Sequence, residues 1–237
     1  MSDATDTELK KGSDPEADGR VSDATDTQVS DEPGSDPVAD RYELSDEERA
    51  RRDAALAEVR KFGDPVLKSR ASEITEFDTD LERDAERMVS LMNDAVGVGL
   101  AATQLGVMRR LLVFQAGLDA SPTALANPEV EWLSGEEVAA EEGCLSLPGV
   151  IVDVERPLYA RVRGQDVRGE PLLIEASGLE ARVLQHEIDH LDGVLMLDRT
   201  TREQRRGALR ALREGGTYVP PSHEDPEAAE DPDGSDG

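Results

Sequence analysis

The two ends of this 237-residue chain carry almost nothing that a core could bury, which confines any fold to the stretch between them. Residues 1–40 hold 12 acidic and 3 basic side chains and repeat themselves: Ser2-Asp3-Ala4-Thr5-Asp6-Thr7 recurs at 22–27, and the segment 13–18 recurs nearly unchanged at 35–40. Residues 215–237 hold 7 acidic side chains and no basic one. Segments this polar cannot offset the entropy of ordering their backbone. We therefore expect disordered acidic tails at 1–42 and 215–237, flanking one domain at 43–214 that is long enough for a single core.

The net charge is -27, and the two ends, at -9 and -7, account for 16 of it. The middle is still acidic, and aromatics make up only 3% of the chain. That balance suits solubility in concentrated salt, where self-repulsion is screened, so a halophilic source is expected. A field this negative repels phosphates, which argues against direct nucleic-acid binding. One cysteine excludes an internal disulfide. With no basic-then-apolar leader and no apolar run near the roughly 18 residues of a spanning helix, the expected location is the cytoplasm, away from membranes.

Within 43–214, Ser45 and Glu48 form a capping-box start for a helix to about Arg60, with Ala54, Ala55, Leu56 and Val59 inward. A second helix, Leu81 to Ala95, carries Leu81, Ala85, Met88, Leu91 and Met92 at helical spacing. The period then changes. Leu111–Phe114 reads as a buried strand, and Leu158–Arg163 as a half-buried one turning through 164–169 into Pro171–Glu175. A third helix spans Leu179 to Leu191 and ends at Asp192-Gly193, and a charged fourth spans Arg202 to Glu214. Helices, then antiparallel strands, then helices make an α+β fold.

The third helix contains Gln185-His186-Glu187-Ile188-Asp189-His190. With about 100° per residue, Glu187 and His190 lie about 100° and 40° round from His186, on one face. One metal ion can meet both imidazoles, with the glutamate beside it, placed to take a proton from a bound water. A catalytic site needs a third protein ligand. A third histidine at 196 is ruled out by Met196, which leaves a downstream carboxylate such as Glu214, or Cys144, the lone cysteine, in Glu141-Glu142-Gly143-Cys144-Leu145-Ser146-Leu147-Pro148. A thiolate with two imidazoles suits iron(II), zinc, cobalt or nickel. The glycines of Gly97-Val98-Gly99-Leu100-Ala101-Ala102-Thr103-Gln104 are by themselves only a loop after a helix.

Together the segments 97–104, 142–146 and 185–190 resemble, in content and order, the three blocks of the peptide deformylases. The resemblance extends to Gly63–Leu67, Asn127-Pro128 and Leu191–Leu195, so it spans roughly 57–200. It implies a fold of antiparallel sheets around a central helix that carries the two histidines. It also implies that Cys144, His186 and His190 bind one divalent metal ion, natively iron(II), and that Glu187 is the general acid and base. Gln104 and the Leu145 N–H would hold the oxyanion, while Val98, Gly99, Gly143 and Leu145 would line the peptide groove. Two details depart or stand apart: Ala140 is small where the family often has a larger aliphatic residue, and Arg182 lies one turn before His186, able to hold Glu142, a substrate carbonyl or an ordinary surface ion pair.

The implied activity is hydrolytic removal of the N-formyl group from the N-terminal methionine of new polypeptides, through a metal-bound water, with the nascent chain or ribosome as partner. Three alternatives stand beside it. They are a deacylase for another short N-acyl or lysine-acyl group, a zinc endopeptidase that leaves Cys144 dispensable, and a catalytically idle nascent-chain binder.

Overall fold

The computed structural model describes residues 44–116 and 120–221; the tail expected at 1–42, and the part of the other from 222 on, with His223, lie outside the described residues. Among the described residues two α-helices, seven strands and two further α-helices follow one another, the expected order of helices, strands and helices with more strands than the three expected: α1 (Asp46–Glu58), α2 (Thr79–Asp94), β1 (Gly99–Ala101), β2 (Leu111–Phe114), β3 (Thr123–Leu133), β4 (Glu137–Cys144), β5 (Leu147–Pro157), β6 (Tyr159–Gln165), β7 (Pro171–Ser177), α3 (Gly178–Leu191) and α4 (Arg202–Glu214). All strand pairs are antiparallel. They form a five-stranded sheet of order β1-β2-β3-β6-β7 and a separate β4–β5 ribbon. Among the described residues no helix is long and apolar enough to cross a membrane.

Local chemistry fixes the helix ends. Ser45 accepts from the Glu48 N–H and Glu48 reaches back to Ser45 N at 2.7 Å, the reciprocal cap read from the sequence. Asp78 caps α2 by accepting from Asp80 N and Leu81 N. Gly193, at φ +74°, follows α3 where a Cβ would lie 2.7 Å from the Lys68 carbonyl carbon, so only glycine fits without backbone movement.

Three apolar clusters hold these elements together. The five predicted inner residues of α2 are all buried, packed with Leu100, Leu111 and Val113. Leu184, Ile188 and Leu191 of α3 pack with Leu112, Leu125, Ala160 and Val162 of the large sheet, so α3 is the central helix, embedded against four of its strands. Val152 and Val154 of the ribbon pack with Met196, Leu197 and Ala208. The metal motif therefore sits on a helix that touches the large sheet, the ribbon and the turn after β1.

The structure corrects three expectations. Ala54 is exposed, and Arg52 is buried instead. The glycine segment is not only a loop, since Gly99–Ala101 pairs with Leu112–Phe114. The stretch just after Glu214, expected to bury little, folds back: Tyr218 N donates to Gly149 O and Ile151 N donates to Tyr218 O, each at 2.8 Å, while the Tyr218 ring packs against the ribbon cluster.

Candidate metal centre and active site

Three chain segments converge on α3. Cys144 ends β4 at a tight turn, Leu145-Ser146, after which Leu147 pairs back with it. Its Sγ lies 3.2 Å from His190 Nε2. The His186 and His190 rings, one helical turn apart, meet edge to face with centroids 4.8 Å apart. One ligand atom from each of Cys144, His186 and His190 lies within 4.8 Å of the others. Donors around one tetrahedral ion, at bonds of about 2.0–2.3 Å, stand roughly 3–4 Å from one another. One thiolate and two imidazoles at this spacing fit a single divalent ion, and the third place in the cluster is taken by sulfur rather than by Glu214, the exposed last residue of α4.

Outer contacts fix the ligands' orientation. His186 Nδ1 donates to Glu142 Oε2 at 3.0 Å, which leaves Nε2 for a metal. Glu142 is itself clamped by Arg156 through two bonds of 2.6 and 3.0 Å, and by Arg182 at 2.7 Å. Arg156 also donates to Asp189 at 2.9 Å, and Asp189 accepts from Arg199 at 2.6 and 3.1 Å. Burial pushes the Glu142 carboxyl upward, but the His186 and Arg156 bonds outweigh it and hold the group well below the usual carboxylate range. Burial, with His186 and Arg156 nearby, pushes His190 down, toward the neutral form that a metal ligand requires.

Glu187 differs in kind. It is 4% exposed, and its Oε2 finds no hydrogen-bond partner among the described residues. Burial is the main cause that pushes its carboxyl up to about 7, with His186 pulling the other way and the Glu142 charge adding to the rise. A buried carboxyl poised near neutrality and aimed into a cavity is suited to exchanging a proton. The space for it comes from Gly99, where a Cβ would lie 2.4 Å from Glu187 Oε1.

Gln104 stands on the short helical turn after β1. Its Oε1 accepts from Ala101 N at 2.9 Å, so the amide is turned with Nε2 toward Ser146 Oγ at 3.2 Å and Cys144 Sγ at 3.7 Å. Val98, Gly99, Gly143 and Leu145 line one cleft with Gln104, Cys144, His186 and Glu187, around a cavity of about 260 Å³. Val98 is exposed at 46%. Of the site residues read from the sequence, all but Glu214 are thus brought together.

Sequence reasoning missed Arg156, Asp189 and Ser146. Arg156 is a charged residue in a stretch where the sequence predicts no strand; in β5 it falls in step with Val152 and Val154 on the inner face, and there it meets Glu142 of β4. Arg182 is no surface ion pair: besides Glu142 it donates to Val154 O and Val138 O at 2.8 and 2.6 Å, and its side chain is 12% exposed. Ala140, opposite Val154, lies outside the lining of the cleft.

Known proteins resemble this chain in sequence and in fold. The family model for polypeptide deformylase matches residues 56–206. A peptide deformylase of Thermotoga neapolitana is 50% identical over 141 residues, covering 60% of this chain and 85% of the relative, and one of Acidothermus cellulolyticus is 46% identical over 160 residues, covering 68% and 87%. The crystal structure of the Thermotoga maritima peptide deformylase superposes with a TM-score of 0.59 at 46% identity, covering 60% of this chain and 96% of that one. The Synechococcus elongatus peptide deformylase, solved in complex with actinonin, gives 0.63 at 39%, covering 67% and 88%. The family-model match takes in every cleft-lining residue except Arg52, and on it this chain belongs to the polypeptide deformylase family of enzymes.

Proposed function

We propose that this chain is a metal-dependent hydrolase that removes the N-formyl group from the N-terminal methionine of newly made polypeptides. The observation that carries the reading is the buried Glu187 carboxyl, whose Oε2 has no hydrogen-bond partner among the described residues, next to a convergent Cys144, His186 and His190 donor set. These three would hold one divalent ion, with iron(II) as the native metal and zinc, nickel or cobalt able to occupy the same donors. When bound, the ion supplies Lewis acidity, which lowers the pKa of water and polarises a carbonyl.

The remaining work falls to the chain's own groups. Glu187 takes the proton of the attacking water and delivers it to the leaving amine, a transfer matched by a carboxyl pushed up to about 7. Gln104 Nε2, fixed by its Oε1 bond to Ala101, and the Leu145 N–H stabilise the negative charge that builds on the formyl oxygen. Backbone at Val98–Gly99 and Gly143–Leu145 flanks the cleft, where an extended peptide would pair as an added strand. Formyl is the smallest acyl group, so a tight wall excludes acetyl by shape.

The setting we propose is the cytoplasm of a salt-loving cell, with the nascent chain as partner, near the ribosome, and neither nucleic acid nor membrane bound directly. Its support is the net charge of -27. The test is formate release from formyl-Met-Ala-Ser by anaerobically prepared, iron- or nickel-loaded protein in molar KCl, with the acetyl peptide and an acetyl-lysine peptide run beside it. Turnover of the formyl peptide alone is expected; an inert formyl peptide with folded, metal-loaded protein would overturn the reading.

A further inference from the structure

The family-matched residues end at 206, yet the chain beyond them returns to one wall of the cleft. α4 is capped at Gly215, and residues 216–221 then run back as a strap beside β5. Tyr218 anchors the strap. Its ring lies against α4 where the helix has no side chain, since a Cβ on Gly207 would stand 2.3 Å from Tyr218 Cε2. There it packs with the cluster of Val150, Val152, Met196 and Ala208, and Pro220 beyond it is buried too.

The strap meets β5 where the ladder of the ribbon is interrupted. Gly143 pairs with Ile151 but Cys144 with Leu147, so Pro148, Gly149 and Val150 of β5 face no counterpart on β4. Extra residues of this kind go unpaired and let a strand bend, and a two-stranded ribbon has little stability of its own to resist that. Tyr218 supplies the bonds of a third strand at this point. Its N–H donates to Gly149 O, and its carbonyl accepts from Ile151 N, each at 2.8 Å. The residues so held are also part of the site, because Gly149, Val150 and Ile151 line the cleft with Gly143 and Leu145. Gly143 stands directly opposite Ile151, so slack in 149–151 reaches the backbone edge that flanks the cleft.

We propose that the strap, through Tyr218, is a positioning element of the substrate groove, which keeps the Gly143 edge in place for an extended peptide to pair with. The inference rests on the deformylase reading of the same cleft. Strand pairing is favourable only against an edge that is already fixed, whereas His186, Glu187 and His190 are held by α3. Loosening the strap therefore weakens the binding of a longer peptide more than it slows the chemical step.

The experiment measures kcat and KM for formyl-Met-Ala-Ser-amide and for formyl-Met-amide on full-length, metal-loaded wild type, Tyr218→Ala, Tyr218→Phe and Gly207→Ala. The last variant favours the helix but takes the room of the ring. The long-to-short ratio of kcat/KM should fall about tenfold in Tyr218→Ala and Gly207→Ala, the worth of about one hydrogen bond, mainly through KM of the longer peptide and with metal content unchanged. Tyr218→Phe, which keeps the ring, should match the wild type. Because each ratio is taken within one protein, a smaller folded fraction does not alter it. Amide hydrogen exchange reads the same brace without substrate: the Ile151 and Gly143 amides should exchange at least about tenfold faster in Tyr218→Ala, with those of β6 unchanged. An unchanged ratio in both strap variants, an equal loss for both peptides, or unaltered exchange at Ile151 and Gly143 would overturn the assignment. If the wild type releases no formate from either peptide, the deformylase reading fails, while the exchange result still decides whether the strap braces the wall.

Discussion

Among the Arg–Glu pairs that join neighbouring strands in the described residues, two behave as opposites. Arg156 and Glu142 bridge β5 and β4 with side chains 5% exposed, while Arg161 and Glu175 face each other across β6 and β7 at 44% and 69%. The chemistry of the pairing is the same, with two guanidinium N–H groups on one carboxylate in each case. The surroundings are not. The outer pair exchanges one set of solvated contacts for another and contributes little. The inner pair belongs to a chain of charges running from His186 through Glu142 and Arg156 to Asp189 and Arg199, where each member compensates the burial of the next. Such a network is weak support for stability but strong support for geometry, because it fixes how a ligand ring is turned.

The comparison breaks most visibly at its inner hub. Arg156→Met should destabilise the metal-free protein by about 3–5 kcal/mol in urea titrations, since Glu142 and Asp189 are both left buried with fewer partners. A loss below about 1 kcal/mol would place this pair with the outer one. Adding a divalent metal to the metal-free protein sharpens the point. At about a thousandfold over Kd, nickel should stabilise the fold by about 4 kcal/mol, read as a rise in Tm. Glu142→Gln, which weakens the hold on His186 Nδ1, should raise the metal Kd about 10–100-fold in a competition assay with a chelating dye.

The outer pair should yield much less. A double-mutant cycle on Arg161 and Glu175 is expected to give a coupling under about 1 kcal/mol, vanishing in molar KCl. Asp198 makes the smallest and most condition-bound contribution. Its partial burial raises its pKa, but bonds from Lys68, the Leu195 N–H and Arg205 outweigh that and hold it below its ordinary value of 3.8. A group whose pKa is lowered by folding stabilises at pH above the unfolded value and loses that contribution as pH falls through the folded one. Asp198→Asn should therefore lower stability at neutral pH and flatten the loss seen below about pH 4; an unchanged acid limb would remove Asp198 from it.

What the sequence discloses follows the range of the forces involved. The ends of α1, α2 and α4 are written in local caps and in a 3.6-residue period, so they are legible within a residue or two. The ligands are legible because the chain has few candidates, one cysteine and three histidines. β4 is not, for Glu137–Cys144 carries five exposed residues and shows no apolar alternation; its strand form comes from pairing with β5. Arg156 and Tyr218 are hidden for the same reason. One is a charged residue in a strand and the other an aromatic in a Gly- and Pro-rich stretch; Arg156 is buried and Tyr218 half-buried, each only by partners distant in sequence. The buried Arg52, against the expected Ala54, shows that helix phase read from apolar residues alone misses a cation facing a cleft.

A division of labour between three residues that would hold the metal and one that would move the proton is open to a single paired measurement. Metal content and formate release from formyl-Met-Ala-Ser are measured on the same samples of wild type, Cys144→Ala and Glu187→Gln. Expected are one metal per chain and turnover in the wild type, neither in Cys144→Ala, and in Glu187→Gln a full complement of metal with turnover reduced by at least about a hundredfold. Cys144→Ala that keeps both its metal and its activity, or Glu187→Gln that turns over like the wild type, would contradict it.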